Sequence, residues 1–230
     1  MSIRLGVPSK GRLMDKTFDW FGARGVTLKK AGHDRGYAGA VEGIEGVELV
    51  LLSASEIPRE LAQGRLHLGV TGSDLVQEGI AGWDLKLRVL APMGFGGADL
   101  VIAVPQAWVD VEGLEDLDAV CADFRRRHGM RLRIATKYHR LVREFLRERG
   151  VADYLLVDSQ GATEGTVRNE TAEAVADITS TGETLRANGL KVLPDGLIHA
   201  SQATLFKSRE APWMTEDRAL LDRLTAQLGV

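Results

Sequence analysis

Leu132-Arg133-Ile134-Ala135-Thr136-Lys137-Tyr138-His139-Arg140-Leu141-Val142-Arg143-Glu144-Phe145-Leu146-Arg147-Glu148-Arg149 holds two periodicities back to back. Residues 132–136 form an apolar run of strand length. In 137–149 the apolar Leu141, Val142, Phe145 and Leu146 fall at i, i+1, i+4 and i+5, with Arg140, Arg143, Glu144, Arg147 and Glu148 in the remaining places. That spacing predicts an amphipathic helix entered directly from a strand.

Strand-length runs of the same kind recur at 3–7, 47–52, 67–71, 100–104, 154–157, 174–178 and 190–193. Pro58 suits the first turn of a short helix that Gly64 ends, and residues 217–228 carry Leu221, Leu224 and Leu228 on one stripe of a closing helix. Repeated strand, turn and helix predicts an α/β fold with largely parallel strands. Ala91-Pro92-Met93-Gly94-Phe95-Gly96-Gly97-Ala98 is the most linker-like stretch, and a domain crossing is expected there.

Composition narrows the function. The chain has 230 residues, 44% apolar, with 29 Lys and Arg against 32 Asp and Glu, a net charge of −3. This supports a folded core, and it lacks the basic surplus of a dedicated nucleic-acid or membrane-surface binder. The single cysteine, Cys121, has no internal disulfide partner and no metal-ligand spacing with the histidines, which favours a reducing, cytoplasmic setting. No signal peptide is read at the N-terminus, and no run of about 18 uncharged apolar residues is present. Cys121 reads as a small residue on a buried helix face, and Arg125-Arg126-Arg127-His128 as a solvated basic face.

Glycine is enriched, at 26 residues, and its placement points to chemistry. In an α/β fold, anions bind where strands end and helices begin, through free backbone N–H groups. Four such turns stand out. The strongest is Asp177-Ile178-Thr179-Ser180-Thr181-Gly182-Glu183-Thr184-Leu185, an acid at a strand end followed by hydroxyls and a glycine. The others are Pro8-Ser9-Lys10-Gly11-Arg12-Leu13, Gly69-Val70-Thr71-Gly72-Ser73-Asp74 and Ile134-Ala135-Thr136-Lys137-Tyr138. Glycine lets amides close on a phosphate, hydroxyls add donors, and a carboxylate can take hydrogen bonds from sugar hydroxyls. A phosphoryl-transfer P-loop and a dinucleotide Gly-x-Gly-x-x-Gly are both missing.

Together these four motifs, in this order over nearly the whole chain, resemble the ATP phosphoribosyltransferase family. The most specific is Asp177 to Leu185 continued by Arg186-Ala187-Asn188-Gly189-Leu190. The resemblance implies a two-domain fold of the periplasmic-binding-protein type II-like class with the active site in the interdomain cleft. Domain I would span 1–96 plus 186–230, and domain II 97–185. It implies the first step of histidine biosynthesis, in which ATP and phosphoribosyl pyrophosphate give N1-(5-phosphoribosyl)-ATP and pyrophosphate, with Mg2+ accompanying the pyrophosphate.

By match to the family motif, Ser180, Thr181, Gly182 and Thr184 would hold the 5-phosphate, Thr179 would belong to the same phosphoribosyl pyrophosphate site, and Asp177 and Glu164 would flank the ribose. Lys10, Gly11, Arg12, Thr71, Gly72 and Asp74 face ATP or pyrophosphate. Lys10, Arg12 and Asp177 are the residues expected to act on the reacting groups. Two departures stand out: the family commonly has arginine where this chain has Ser53, leaving Arg59 or Arg35 to substitute or the leaving group to rely more on Mg2+, and often has a basic residue where this chain has Glu183.

The length resembles the short form of the family. That form implies self-association and a regulatory subunit similar to histidyl-tRNA synthetase in a hetero-oligomer, a hetero-octamer in the family pattern, with histidine inhibition residing in the complex. The competing readings are a non-catalytic anion or amino-acid sensor on the same fold, and porphobilinogen deaminase, which needs a cofactor-bearing cysteine that Cys121 does not suit.

Overall fold

The computed structural model describes residues 2–30, 38–159 and 161–230. They form two units, Met1–Gly96 with Gln202–Val230, and Gly97–Ser201.

The first leg of unit 1 runs β1 (Ile3–Pro8), α1 (Gly11–Gly22), β2 (Thr27–Lys30), β3 (Ala38–Glu42), β4 (Val47–Leu52), α2 (Ile57–Ala62), β5 (Leu68–Gly72), α3 (Ser73–Gly79), α4 (Trp83–Lys86) and β6 (Leu87–Pro92). Unit 2 follows with β7 (Ala98–Pro105), α5 (Leu114–His128), β8 (Leu132–Thr136), α6 (His139–Glu148), β9 (Tyr154–Asp158), α7 (Gly165–Arg168), β10 (Ala174–Thr179), α8 (Glu183–Ala187) and β11 (Leu190–Ser201). The chain then returns to unit 1 as β12 (Ala203–Ser208) and α9 (Thr215–Leu228).

Unit 1 is built on a sheet ordered β2-β3-β4-β1-β5-β12-β6. Its middle strands β1 and β5 turn one face fully into the core, with Ile3, Leu5, Val7, Leu68 and Val70 all buried. One face packs against Trp20 and Phe21 of α1 and Leu221 and Leu224 of α9, and the other, with Phe206 of β12, against Ile57 and Leu61 of α2. Gly69 lets α2 sit directly on β5, since a Cβ there would lie 2.7 Å from Ile57 Cγ2.

Unit 2 is built on a sheet ordered β11-β7-β10-β8-β9. The helix expected after residues 132–136 is α6, which buries Leu141, Val142, Phe145 and Leu146 and leaves its arginines outside. Cys121 is buried on α5 as expected, and burial, with Asp118 and Asp153 nearby, pushes its thiol up to about 12.

Two expectations need correction. Parallel pairing is confined to β4-β1-β5 and β10-β8-β9, and the flanking ladders are antiparallel, so the sheets are mixed. The flanks are hairpins and the returning strand β12, which enters beside β5 from the opposite direction. The return near residue 186 also falls too early. After α8 the chain stays in unit 2 as β11, paired with β7 from Leu190 opposite Pro105 to Ser201 opposite Ala98, with bulges that carry it past Pro194.

Candidate active site

Parallel strands end together, so the loops after them gather at one rim of each sheet. In unit 1 that rim carries the turns after β1, β4 and β5. Lys10 is the N-cap of α1, Gly11 opens the helix at φ +72°, and Arg12 follows; all three are exposed. The Ser9 N–H donates to the Leu52 carbonyl at 2.8 Å, tying the β1 turn to the end of β4. After β5, the buried Thr71 hydroxyl donates to the Ala54 carbonyl at 2.7 Å, Gly72 caps α3, and Asp74 lies buried in its first turn. The structure therefore brings Lys10, Gly11, Arg12, Thr71, Gly72 and Asp74 to one rim. The hydroxyl of Thr71 is spent on bracing the neighbouring loop.

That neighbouring loop holds Ser53. The Ser53 hydroxyl donates to Glu56 Oε2 at 2.7 Å and its N–H to the same oxygen at 3.0 Å, which holds the Glu56 carboxyl below the ordinary range. Of the two substitutes considered, Arg59 is tied to Glu60 at 3.2 Å. Glu60 is also held by Arg65. Arg35 lies outside the described residues.

In unit 2 the rim is formed by the ends of β8, β9 and β10. The β10 turn is shaped by its own hydroxyls: Thr179 Oγ1 accepts from the Gly182 N–H at 2.8 Å, and Thr181 Oγ1 from the Glu183 N–H at 3.3 Å. Gly182 caps α8 at φ +70°, a conformation that glycine takes without strain. Ser180, Thr181 and Thr184 are exposed around this cap; the Glu183 side chain is exposed as well.

Asp177 is half-buried, and its Oδ1 accepts from the Ile178 N–H at 2.8 Å. Burial raises its carboxyl above the usual aspartate value, and the nearby Glu164 adds to that; the Ile178 N–H, Lys137 and the Thr163 hydroxyl pull the other way. Glu164 thus lies close enough to Asp177 for its charge to act there. The loop presenting Glu164 is braced by Ser159 Oγ to Thr163 Oγ1 at 3.0 Å, Thr166 Oγ1 to the Thr163 carbonyl at 2.6 Å, and Lys137 Nζ to the Gly161 carbonyl at 2.7 Å.

Sequence reasoning assigned no role to Thr163 and left Lys137 without a partner; their contacts span loops that no local pattern connects. Among the described residues, no group of three or more His, Cys, Asp or Glu side chains is gathered as a metal-ligand set. None of the described helices is long and apolar enough to cross a membrane.

A family model described as ATP phosphoribosyltransferase matches residues 53–229. The ATP phosphoribosyltransferase of Cereibacter sphaeroides is 67% identical over 230 residues, 100% of this chain and 97% of that protein. The enzyme of the same name from Rhodopseudomonas palustris strain BisB18 is 51% identical over 227 residues, 97% of this chain and 70% of that longer protein. Among solved structures, the ATP phosphoribosyl transferase (HisG:HisZ) complex from Thermotoga maritima matches with TM-score 0.73 and 20% identity, covering 99% of this chain and 96% of that one. A histidine kinase sensor domain with similarity to periplasmic binding proteins matches at TM-score 0.53 and 16% identity, covering 99% and 89%. At such identities these two matches speak for the fold alone, and the fold is that of the periplasmic-binding-protein class.

Proposed function

This chain belongs to the ATP phosphoribosyltransferase family, and from that membership we propose how its two rims divide the reaction. The reaction is the first step of histidine biosynthesis: ATP and phosphoribosyl pyrophosphate give N1-(5-phosphoribosyl)-ATP and pyrophosphate. A bond forms between adenine N1 and the anomeric carbon, the bond from that carbon to pyrophosphate breaks, and configuration inverts. Adenine N1 is already unprotonated near neutral pH, so positioning two polyanions and stabilising the departing charge matter more than a general base.

Unit 2 binds the phosphoribosyl group. Ser180, Thr181 and Thr184 with the Gly182 turn surround the 5-phosphate, and Asp177 and Glu164 accept hydrogen bonds from the ribose hydroxyls. Unit 1 faces ATP and the leaving pyrophosphate, with Lys10 and Arg12 as its cations and Thr71, Gly72 and Asp74 shaping the turn beside them. The observation that carries this reading is the turn after β10, where Gly182 caps α8, its N–H donates to the Thr179 hydroxyl, and Asp177 lies half-buried at the strand end; such a turn offers donors to a phosphate and an acceptor to sugar hydroxyls.

Mg2+ bound with the pyrophosphate as part of the substrate would supply charge neutralisation there, through the oxygen ligands that a hard cation takes. The protein works in the cytoplasm. It associates with itself and with a histidyl-tRNA-synthetase-like regulatory subunit, as a hetero-octamer, and histidine inhibition arises in that complex. The two-component Thermotoga maritima assembly supports this reading.

Pyrophosphate release coupled to formation of phosphoribosyl-ATP, followed with ATP, phosphoribosyl pyrophosphate and Mg2+, tests the assignment. Thr181→Ala should raise the KM for phosphoribosyl pyrophosphate and leave that for ATP in place. The reverse pattern would exchange the roles of the two rims.

A further inference from the structure

Beside the Asp177 carboxylate, two hydroxyls of unit 2 are buried away from water: Ser159 is 4% exposed and Thr163 1%. Ser159 follows β9, and its N–H donates to the Thr136 carbonyl at 3.2 Å. Thr163 is fixed through its backbone, since its carbonyl accepts from Thr166 Oγ1 at 2.6 Å and from the Thr166 N–H at 3.1 Å. Among the described residues no buried side-chain nitrogen or oxygen lacks a partner, so these hydroxyls belong to a satisfied network.

The protons in this network run one way. Ser159 Oγ donates to Thr163 Oγ1 at 3.0 Å, and the Thr163 hydroxyl hydrogen-bonds the Asp177 carboxylate. An ionised carboxylate only accepts and a hydroxyl has a single proton, so Thr163 gives its proton to Asp177 and must accept from Ser159. A threonine side chain is stiff at χ1, which fixes the direction of that O–H. Hydroxyls that only braced the loop would need no carboxylate at their end; these terminate on the acid of the strand-end turn. The Ile178 N–H and Thr163 occupy part of the carboxylate's capacity of about four acceptor positions and leave the rest open to sugar hydroxyls. We propose that Thr163 is a positioning residue of the phosphoribosyl site: the buried relay from Ser159 through Thr163 holds the Asp177 carboxylate in one orientation, with its open lone pairs turned to the ribose hydroxyls. This rests on the ribose role of Asp177 proposed above and adds two buried residues that act through it.

Few charged groups surround that carboxylate. Glu164, at the N-cap of α7, opposes its ionisation, and Lys137, after β8, favours it. On β7, Val101 lies opposite Asp177 and Asp99 opposite Thr179; beyond β8, Asp158 at the end of β9 faces His139. Burial raises the Asp177 carboxyl most, and the Thr163 hydroxyl, which bonds the charged form, works against that rise. Deleting the hydroxyl leaves every charge in place and should raise the carboxyl further. Binding that needs the carboxylate is present above its titration and lost as pH falls through it, so without the hydroxyl the loss begins at higher pH.

Thr163→Val keeps the side chain's shape and deletes the hydroxyl, and Thr163→Ser restores it. In ligand-free protein isotope-labelled at its aspartate carboxyls, the Asp177 resonance is the one missing from Asp177→Asn. It should titrate at higher pH in Thr163→Val and near its wild-type position in Thr163→Ser. In assays with ATP and Mg2+, Thr163→Val should raise the KM for phosphoribosyl pyrophosphate about three- to tenfold and leave that for ATP unchanged, while Thr163→Ser stays within about twofold of wild type. Ser159→Ala combined with Thr163→Val leaves no orphaned hydroxyl and should show the same shifts, which keeps the test open if Thr163→Val alone folds poorly. An unmoved Asp177 titration in both of these variants overturns the proposal, as does a Thr163→Ser variant that fails to restore the KM. A moved titration with the phosphoribosyl pyrophosphate KM unchanged in both Thr163→Val and Asp177→Asn overturns it through the ribose role on which it rests.

Discussion

The two rims solve the same problem with opposite chemistry. Each lies where parallel strands end, yet the rim of unit 1 presents exposed cations, Lys10 and Arg12. The rim of unit 2 presents two acids beside a turn of neutral donors. A phosphate can be held by point charges, which act at a distance and weaken with salt, or by hydroxyls and amides, which act at contact and depend on geometry. The reaction needs both: a group that must leave is served by charges that strengthen as it gains charge, and a group that must stay in place is served by a rigid cradle.

The sharpest way to break this division is at Asp177. On the proposed role, replacing it with Asn removes the charge and turns one of the two acceptor oxygens into a donor, weakening two hydrogen bonds to ribose hydroxyls that are each worth about 1.5–3 kcal/mol when made to a charged group. The expected loss in kcat/KM for phosphoribosyl pyrophosphate is roughly 10²–10⁴, with the KM for ATP nearly unchanged. The same residue predicts a pH limit. Burial raises its carboxyl, so on acidification it takes up a proton sooner than an ordinary aspartate. Binding that needs the carboxylate is present at neutral pH and fades as pH falls through that raised value, and Asp177→Asn should flatten this limb of the profile. A limb that persists in the variant would move the titration to another group.

Next in size is the cradle itself. Thr181→Ala removes one hydroxyl from the turn and should weaken phosphoribosyl pyrophosphate binding by about 10- to 100-fold, little changed between 50 and 300 mM salt because the interaction is short-ranged. Lys10→Met should cost less, about three- to tenfold in the KM for ATP, and the difference between wild type and variant should shrink as salt is added. A steep salt dependence at Thr181 and a flat one at Lys10 would reverse the comparison.

Most of unit 2 was legible because its strands and helices alternate with clean periods. The run at 132–136 is β8 and the helix after it is α6, as their patterns required. The strands that escaped notice are those whose patterns are set by tertiary context. β12, Ala203-Thr204-Leu205-Phe206-Lys207-Ser208, is buried on both sides between β5 and β6 and so shows no alternation. β6 carries Arg88 and Pro92, and its end was read as part of the linker. Pro194 and Gly196 look like the end of a strand, whereas β11 bulges past them, and the expected boundary at residue 186 failed for that reason. At the candidate site, the motif turns were visible as turns. The nearness of Glu164 to Asp177, and the Lys137 contact to Gly161, join loops from different strands and had no local signal.

The smallest expected effect tests whether the cationic rim gains from an arginine at position 53. The Ser53 hydroxyl and N–H both serve Glu56, at 2.7 and 3.0 Å. An arginine introduced there would sit within reach of an ionised carboxylate before any substrate arrives. An exposed pair of this kind contributes little to stability, yet it suffices to divert the side chain. Ser53→Arg alone should therefore change pyrophosphate inhibition by less than about threefold. Ser53→Arg combined with Glu56→Gln frees the guanidinium and should tighten pyrophosphate binding beyond the single variant, with the gain fading in salt as it does for Lys10. If the single variant already tightens binding tenfold, Glu56 does not restrain that position, and the rim of unit 1 is one cation short.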